Sequence, residues 1–210
     1  KPFAKQAVDQ IIKIGEEAIV DIQLLEKYTS KTELIDAIKD VNAVIIRSDI
    51  IDKEVIDATE QLEVVVRAGA GYDNVDLEAA TAKNVVVMNT PGQNSNAVAE
   101  LAIGMMLYIA RGCFNGKPGT EISNKTLGIH AYGNVGRLIA KIAKGFEMTI
   151  YAFDPFVDNS VIEKDGIIPV NRVEELYTKS QYVSLNIPAN SQTKNSINKA
   201  LLSLMPKDAC

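Results

Sequence analysis

The stretch TLGIHAYGNVGRLIAKIA (126–143) decides the fold of this chain. It opens on a short apolar run that is typical of a buried strand, and it closes on apolar residues at helical spacing. A turn with two glycines stands between them and reads Ala131-Tyr132-Gly133-Asn134-Val135-Gly136. The pattern predicts a β-strand that enters an α-helix through a tight turn.

The turn matches the dinucleotide-binding fingerprint G-x-G-x-x-G, with Ala131 in place of the first glycine. In this fingerprint Gly133 lets the backbone approach a pyrophosphate, and Gly136 lets the helix pack closely on the strand. The helix N-terminus adds free N–H donors and a partial positive charge. Alanine is the smallest substitute for the first glycine, and it fits the turn if its φ is negative.

An acidic residue follows at the distance that the fingerprint requires. Asp154 lies 18 residues beyond Gly136, at the end of the next predicted strand, and Pro155 comes directly after it. A carboxylate there accepts hydrogen bonds from a ribose 2′-hydroxyl and repels a 2′-phosphate, which favours NAD over NADP. The alternative is structural: the glycines only make a tight turn, and Asp154 begins an Asp-Pro turn.

Strands and helices alternate along the chain in two series. The first predicts strands at 18–25, 41–48, 62–69 and 85–89, with helices at 3–17, 31–40, 52–60 and 76–83. The second predicts strands at 126–131, 148–154, 167–170 and 182–188, with helices at 134–146, 159–165, 172–179 and 198–204. Such alternation indicates α/β architecture with parallel sheets covered on both faces. We expect two doubly wound domains, 1–93 and 94–210, joined by a long apolar helix at 96–113.

Composition excludes several classes of protein. The 210 residues are 47% hydrophobic and 23% charged, with a net charge of −5, which excludes a disordered chain and a strongly basic nucleic-acid-binding protein. No apolar run reaches the roughly 20 residues of a membrane span. One histidine and two separated cysteines argue against a disulfide framework and a transition-metal site. We therefore expect no nucleic-acid, membrane or metal partner, and a reducing compartment such as the cytoplasm.

Arginines follow two predicted strands of the first series. Arg47-Ser48 ends one of them, and Arg67 opens the sequence RAGAG (67–71) at the end of the next. Ligands bind outside the carboxyl ends of parallel strands, where two arginines would hold a phosphate or carboxylate. The alternative is a pair of surface arginines that leave a sheet. Asn94 and Ser95 precede the long helix, where they cap it or help to bind an anion.

His130, the single histidine, lies on the predicted strand before the glycine turn. A general base should face the substrate, whereas His130 lies on the cofactor strand. We interpret His130 as a packed strand residue.

Several blocks of the sequence are informative when they are taken together: IIRSD (45–49), VIDATEQLEVVVRAGAGYDNVDLEAAT (55–81), VVVMNTPGQNSNAVAEL (85–101), the fingerprint at 126–137, YAFDPF (151–156), and SLNIP (184–188) with Thr193. In these blocks, which span nearly the whole chain, the sequence resembles the NAD-dependent D-2-hydroxyacid dehydrogenase family. RAGAGYDNVDLEAAT followed by MNTPGQNSNAVAEL is far more specific than the glycine fingerprint. The resemblance implies a flavodoxin-like substrate domain and a Rossmann cofactor domain.

The resemblance also implies residue roles. It assigns phosphate and carboxylate binding to Arg47, Ser48 and Arg67, a backbone contact with the carboxylate to Ala70 and Gly71, and a substrate-side turn to Asn94 and Ser95. It assigns NAD contacts to Ala70, Gly133, Asn134, Val135, Gly136, Asp154, Pro155, Ile187, Pro188 and Thr193. Ala131 and Asn186 depart from the family pattern, since a glycine and a histidine are common there.

The activity that the resemblance implies is NAD-dependent oxidation of 3-phospho-D-glycerate to 3-phosphohydroxypyruvate, in serine biosynthesis, by a homodimer. Two alternatives remain: a reductase of glyoxylate, hydroxypyruvate or another 2-hydroxy acid, and an NAD-binding corepressor-like protein without turnover. We expect the first strand of the substrate domain to precede this chain. The family's catalytic arginine, glutamate and base are expected beyond residue 210, so no residue here is assigned to acid–base catalysis.

Overall fold

The computed structural model describes residues 3–210, and it confirms the α/β class. Its helices are α1 (Lys5–Ala18), α2 (Lys31–Ile38), α3 (Lys53–Ala58), α4 (Leu77–Ala82), α5 (Ser95–Ala110), α6 (Asn134–Lys144), α7 (Asn159–Lys164), α8 (Val173–Lys179) and α9 (Lys199–Leu202). Its strands are β1 (Ala43–Ile46), β2 (Val64–Arg67), β3 (Val86–Asn89), β4 (Thr126–His130), β5 (Thr149–Phe153), β6 (Ile168–Pro169) and β7 (Tyr182–Leu185). The chain forms two compact units; the first ends at Pro91 and the second begins at Gly92.

The first unit is built on three parallel strands in the order β1-β2-β3. One sheet face carries Ile46 and Val65 into a core that α3 and α4 also line. On the opposite face Ile45, Val86 and Met88 are 45%, 58% and 54% exposed. The carboxyl ends of the strands are in register, with Arg67 between Ile46 and Asn89.

Side chains fix the helix ends of this unit. Ser30, Asp52 and Asp76 each precede a helix and accept a hydrogen bond from a backbone N–H of its first turn. Lys83 acts at the other end of α3, where its ammonium donates to the carbonyls of Ile56, Asp57 and Thr59 at 2.8–3.0 Å. These bonds satisfy the Asp57 and Thr59 carbonyls at the helix C-terminus, and they add to the bonds that the Ile56 carbonyl accepts from the amide and hydroxyl of Thr59.

The second unit has four parallel strands in the order β6-β5-β4-β7. The chain steps outward from β4 to β6 and then returns to place β7 on the other side of β4. Leu127 and Ile129 of β4 join the core beneath α5 and α6, whereas Leu176 and Tyr177 of α8 pack in a core on the opposite face. Both sheet faces are therefore covered, which explains the nearly continuous apolar strands. The order reverses between β4 and β7, and their carboxyl ends form a topological switch point.

Two sequence predictions about local structure are wrong. Residues 18–25 form no strand: α1 continues to Ala18, Ile19 takes a left-handed conformation with φ +57°, and the chain then runs without regular structure. A strand exists only through pairing, and no described strand pairs with this segment despite its composition. The long helix ends at Ala110 rather than 113, because the chain turns left-handed at Gly112, with φ +57°, directly after the C-cap residue Arg111.

Among residues 3–210, none of the helices combines the length and the apolar composition of a membrane span, and no three His, Cys, Asp or Glu side chains gather as metal ligands do.

Candidate functional site

The turn after β4 places Ala131 in a left-handed backbone conformation. Ala131 has φ +78°, so the negative φ with which alanine would fit this turn is not adopted. Its amide continues the sheet by donating to the Phe153 carbonyl at 2.8 Å. Its own carbonyl lies against α6, because a Cβ added to Gly136 would meet that oxygen at 2.5 Å. The close strand–helix packing expected at Gly136 is observed, and it holds Ala131 in a conformation that costs an L-residue about 1–2 kcal/mol.

The N-terminus of α6 is open to a ligand. Gly133 is the N-cap residue; no side chain caps the helix, and a Cβ added to Gly133 would meet nothing within 4 Å. The first intrahelical bond runs from the Arg137 amide to the Gly133 carbonyl, so the amides of Asn134, Val135 and Gly136 precede the helical ladder. An uncapped helix start with space in front of it fits a pyrophosphate.

Asp154 lies beside this turn, directly after β5. Its Oδ2 accepts from the Tyr132 amide at 2.8 Å, and its Oδ1 accepts from the Phe156 amide at 2.9 Å. Each carboxylate oxygen keeps a further lone pair, so the group can still accept from ribose hydroxyls. Pro155, which follows it, is exposed. The structural alternative, a turn anchored by Asp154, is observed, and the carboxylate retains the acceptor capacity that the predicted ribose contact would need.

The segment after β7 borders the same strand end from the other side. The Asn186 amide donates to the His130 carbonyl at 2.9 Å, which aligns Ile187 and Pro188 with the end of β4. Thr193 folds this loop back, since its hydroxyl donates to the Pro188 carbonyl and accepts from the Asn190 amide. The predicted cofactor residues of the second unit thus gather at the carboxyl ends of β4, β5 and β7.

Asn94 and Ser95 also lie in the second unit. Asn94 is the N-cap residue of α5, but its side chain makes no capping hydrogen bond, and Ser95 is buried. Gly92, with φ +81°, turns the chain into the helix, and a Cβ added there would meet Asn134 Nδ2 at 3.0 Å. The predicted substrate-side turn therefore starts next to a predicted pyrophosphate residue.

His130 is a packed residue, as the sequence predicts. It is 8% exposed, its Nδ1 lies 3.3 Å from the Tyr177 hydroxyl, and its ring contacts Phe153 edge-on. Burial lowers the pKa of His130, against a smaller opposing effect of Asp154. Burial also raises the pKa of Tyr177, to about 12, so both groups are neutral at physiological pH.

The second cluster of predicted residues lies in the first unit. Arg47 and Ser48 follow β1, and Arg67 ends the neighbouring strand β2. The loop after Arg67 is firmly held: the Thr90 amide donates to the Gly69 carbonyl at 2.9 Å, and Asn89 Nδ2 donates to the Ala70 carbonyl at 2.7 Å. Gly71, next in the loop, is exposed. The two arginines that the sequence proposes for an anion therefore leave adjacent strand ends.

Sequence patterns do not predict the hydrogen-bonded residues that support the backbone at Arg47. Tyr28 donates to Asp49 Oδ1 at 2.8 Å, and Asn74 Nδ2 donates to the Asp49 carbonyl at 2.7 Å. Asp49 Oδ2 in turn accepts from the Arg47 amide at 3.4 Å. Burial, together with the bond to Asp49, raises the pKa of Tyr28 to about 12. Asp49 and Asn74 both lie in the sequence blocks quoted above, but their partners are distant in the chain and no local pattern links them.

Comparisons with known proteins agree with this architecture. Residues 3–204 match the family model described as "D-isomer specific 2-hydroxyacid dehydrogenase, catalytic domain". D-3-phosphoglycerate dehydrogenase of Methanocaldococcus jannaschii is 35% identical over 96% of this chain and 41% of its own length. Hydroxypyruvate reductase of Thermotoga maritima is 33% identical over 97% of this chain and 68% of its own.

A solved structure of NAD+-bound 3-phosphoglycerate dehydrogenase from Entamoeba histolytica matches with a TM-score of 0.91 at 45% identity, over 98% of this chain and 66% of that one. The chain thus spans less than half the length of the Methanocaldococcus relative and about two thirds of the Entamoeba structure.

Proposed function

The chain belongs to the D-isomer specific 2-hydroxyacid dehydrogenases, and from this premise we propose that the full-length protein oxidises 3-phospho-D-glycerate to 3-phosphohydroxypyruvate with NAD. The observation that carries the proposal is the pair of arginines, Arg47 and Arg67, at adjacent strand ends. A substrate with a phosphate and a carboxylate carries more negative charge than an unphosphorylated 2-hydroxy acid, and guanidinium groups bind both anions in bidentate geometry. The relatives named for 3-phosphoglycerate support this substrate class.

The residues of the second unit suit the cofactor. The open N-terminus of α6 would hold the pyrophosphate through the amides of Asn134 and Val135, and Asp154 would accept hydrogen bonds from the adenosine ribose. Ile187, Pro188 and Thr193 would wall the cofactor pocket. Bound NAD would supply the acceptor for the hydride on C2 of the substrate, so that the alcohol would become a ketone with release of one proton.

The residues of the first unit would hold the substrate. Arg47, Ser48 and Arg67 bind its charged groups, while the backbone amides of Ala70 and Gly71 meet the carboxylate. Holding the substrate at both ends fixes C2 for hydride transfer, and such orientation supplies much of the rate acceleration of a two-substrate reaction. We assign no proton-transferring residue to this chain.

The decisive assay is NADH formation by the purified full-length protein with 3-phosphoglycerate at alkaline pH, where removal of the released proton favours oxidation. We expect steady NADH production, and absence of product would reject the proposal. Arg67→Ala should raise KM for 3-phosphoglycerate at least tenfold more than KM for D-glycerate, because it removes a charge-assisted hydrogen bond worth about 1.5–3 kcal/mol. Equal effects on both substrates would reject the phosphate assignment.

A second candidate is reduction of hydroxypyruvate or glyoxylate, which the Thermotoga relative favours because this chain covers 68% of it. NADH consumption with each 2-oxo acid separates the two. A kcat/KM for hydroxypyruvate above that for the phosphorylated substrate would establish the reductase.

We also propose a cytoplasmic homodimer that serves serine biosynthesis. One face of α5 carries an exposed apolar stripe, in which Leu101 is 64% and Met105 is 55% exposed. The stripe consists of Val98, Leu101, Met105 and Tyr108. Large exposed apolar stripes mark association surfaces. Leu101→Glu should convert a dimer to a monomer in sedimentation equilibrium, and an unchanged mass would reject this surface.

A further inference from the structure

The side chain of Arg67 lies over the Cα of Gly69. A Cβ built on Gly69 would stand 1.3 Å from Arg67 Nη1 and 2.5 Å from its Cζ, so the guanidinium occupies the space that a side chain at 69 would need. Arg67 Nε is buried there and has no hydrogen-bond partner. Loss of a partner costs a buried donor about 1–3 kcal/mol, so this placement needs a structural or functional reason.

The backbone at Gly69 does not itself require glycine. Its φ lies outside the left-handed region, in contrast to Gly92 at +81°, so alanine could adopt the same backbone. The Gly69 amide donates to the Arg67 carbonyl at 2.8 Å, and the Gly69 carbonyl accepts from the Thr90 amide. The backbone of this loop is therefore held by hydrogen bonds on both sides of Gly69. The steric reason for glycine here is the guanidinium of Arg67.

We propose that Gly69 is a positioning residue. Because Gly69 has no side chain, the Arg67 guanidinium can occupy the space over its Cα. This space, the seat of the guanidinium, sets where the anionic group of the substrate binds. The inference rests on the proposed function, which assigns substrate binding to Arg67. Because the atoms displaced by a Cβ belong to the end of a flexible side chain, Gly69→Ala moves the guanidinium with little effect on the fold. The substitution therefore weakens substrate binding and leaves stability nearly unchanged.

The test is a double-mutant cycle in the full-length protein, with wild type, Gly69→Ala, Arg67→Ala and the double variant assayed for NAD reduction with 3-phosphoglycerate. We expect Gly69→Ala to raise KM about tenfold, which corresponds to about 1.4 kcal/mol of binding. We expect kcat within about twofold and a thermal midpoint within about 4 °C of wild type. In the Arg67→Ala background, Gly69→Ala should have no further effect on KM, because the displaced group is gone.

The outcomes separate this inference from the function on which it rests. If Arg67→Ala raises KM but Gly69→Ala does not, the seat is rejected while the substrate role of Arg67 stands. If Gly69→Ala raises KM by the same factor in both backgrounds, it acts independently of Arg67, and the seat is again rejected. If Arg67→Ala leaves KM unchanged, the substrate role of Arg67 is rejected and the inference with it. A crystal structure of Gly69→Ala gives an activity-independent check, since an unmoved guanidinium would overturn the proposal.

Discussion

The amide of Tyr132 donates a 2.8 Å hydrogen bond to Oδ2 of Asp154, which ties the glycine turn after β4 to the end of β5. The bond spans 22 positions of sequence and lies one residue beyond the left-handed Ala131. Asp154 thus fixes the backbone that leads into α6, in addition to its proposed contact with the ribose. The effects of changing this carboxylate should therefore appear in both cofactor selection and the stability of the turn.

Asp154→Asn is expected to weaken NAD binding about tenfold and to reduce the preference for NAD over NADP. The amide keeps one oxygen acceptor but loses the charge that would repel a 2′-phosphate. Fluorescence titration with each cofactor measures the two dissociation constants. Asp158→Asn is the matched control, because Asp158 instead caps α7 through the Ser160 amide. An unaltered ratio of the two constants in Asp154→Asn would contradict the proposed ribose contact.

Ala131→Gly is expected to stabilise the protein by about 0.5–1 kcal/mol. Glycine relieves the strain at φ +78°, which is worth about 1–2 kcal/mol, although it adds entropy to the unfolded chain. Urea denaturation gives the free energy of unfolding. Ala140→Gly, inside α6, should destabilise by about 1 kcal/mol and serves as the opposite control. Destabilisation by both changes would mean that Ala131 bears no strain.

Protonation of His130 should make the protein less stable in acid. Burial lowers its folded pKa below the unfolded value of 6.5, so the unfolded state binds the proton more readily. Its contribution to stability is complete above the unfolded pKa and is lost as pH falls from that value toward the folded pKa, with a slope of at most about 1.4 kcal/mol per pH unit.

Urea denaturation between pH 5 and 8 measures this dependence, and His130→Gln should remove the part due to His130. Tyr177→Phe keeps the titrating ring and should retain the slope while lowering stability at every pH. If the slope in His130→Gln equals that of wild type, other groups cause it.

Lys83→Met is expected to destabilise the protein by about 1–3 kcal/mol, because it removes the donor to the Asp57 and Thr59 carbonyls, whereas the Ile56 carbonyl keeps its bonds from Thr59. Methionine keeps the length of the side chain and so isolates the loss of the ammonium. Lys53→Met removes only an exposed ion pair with Asp57 and should change stability by less than about 1 kcal/mol. Equal effects of the two substitutions in thermal denaturation would contradict a capping role for Lys83.

Sequence patterns predicted most of the strands and helices, because buried parallel strands and amphipathic helices leave strong periodic signals. Residues 18–25 were misassigned because composition encodes strand propensity but not the presence of a pairing neighbour. The sign of φ at Ala131 is not encoded in the local pattern, since it depends on the approach of Gly136 to the Ala131 carbonyl. The contact between Gly69 and Arg67 was missed for a similar reason: a side-chain rotamer, and not a backbone pattern, decides it.

The two glycines of the dinucleotide turn should respond differently to selection, because their surroundings differ. Gly136 touches the carbonyl of Ala131, so every other residue there should be eliminated by a screen for folded protein. Gly133 faces open space, so small substitutions there should survive that screen and be removed only by a screen for cofactor use. Natural or laboratory lineages that abandon the cofactor should therefore lose the second glycine of the fingerprint first and retain the third.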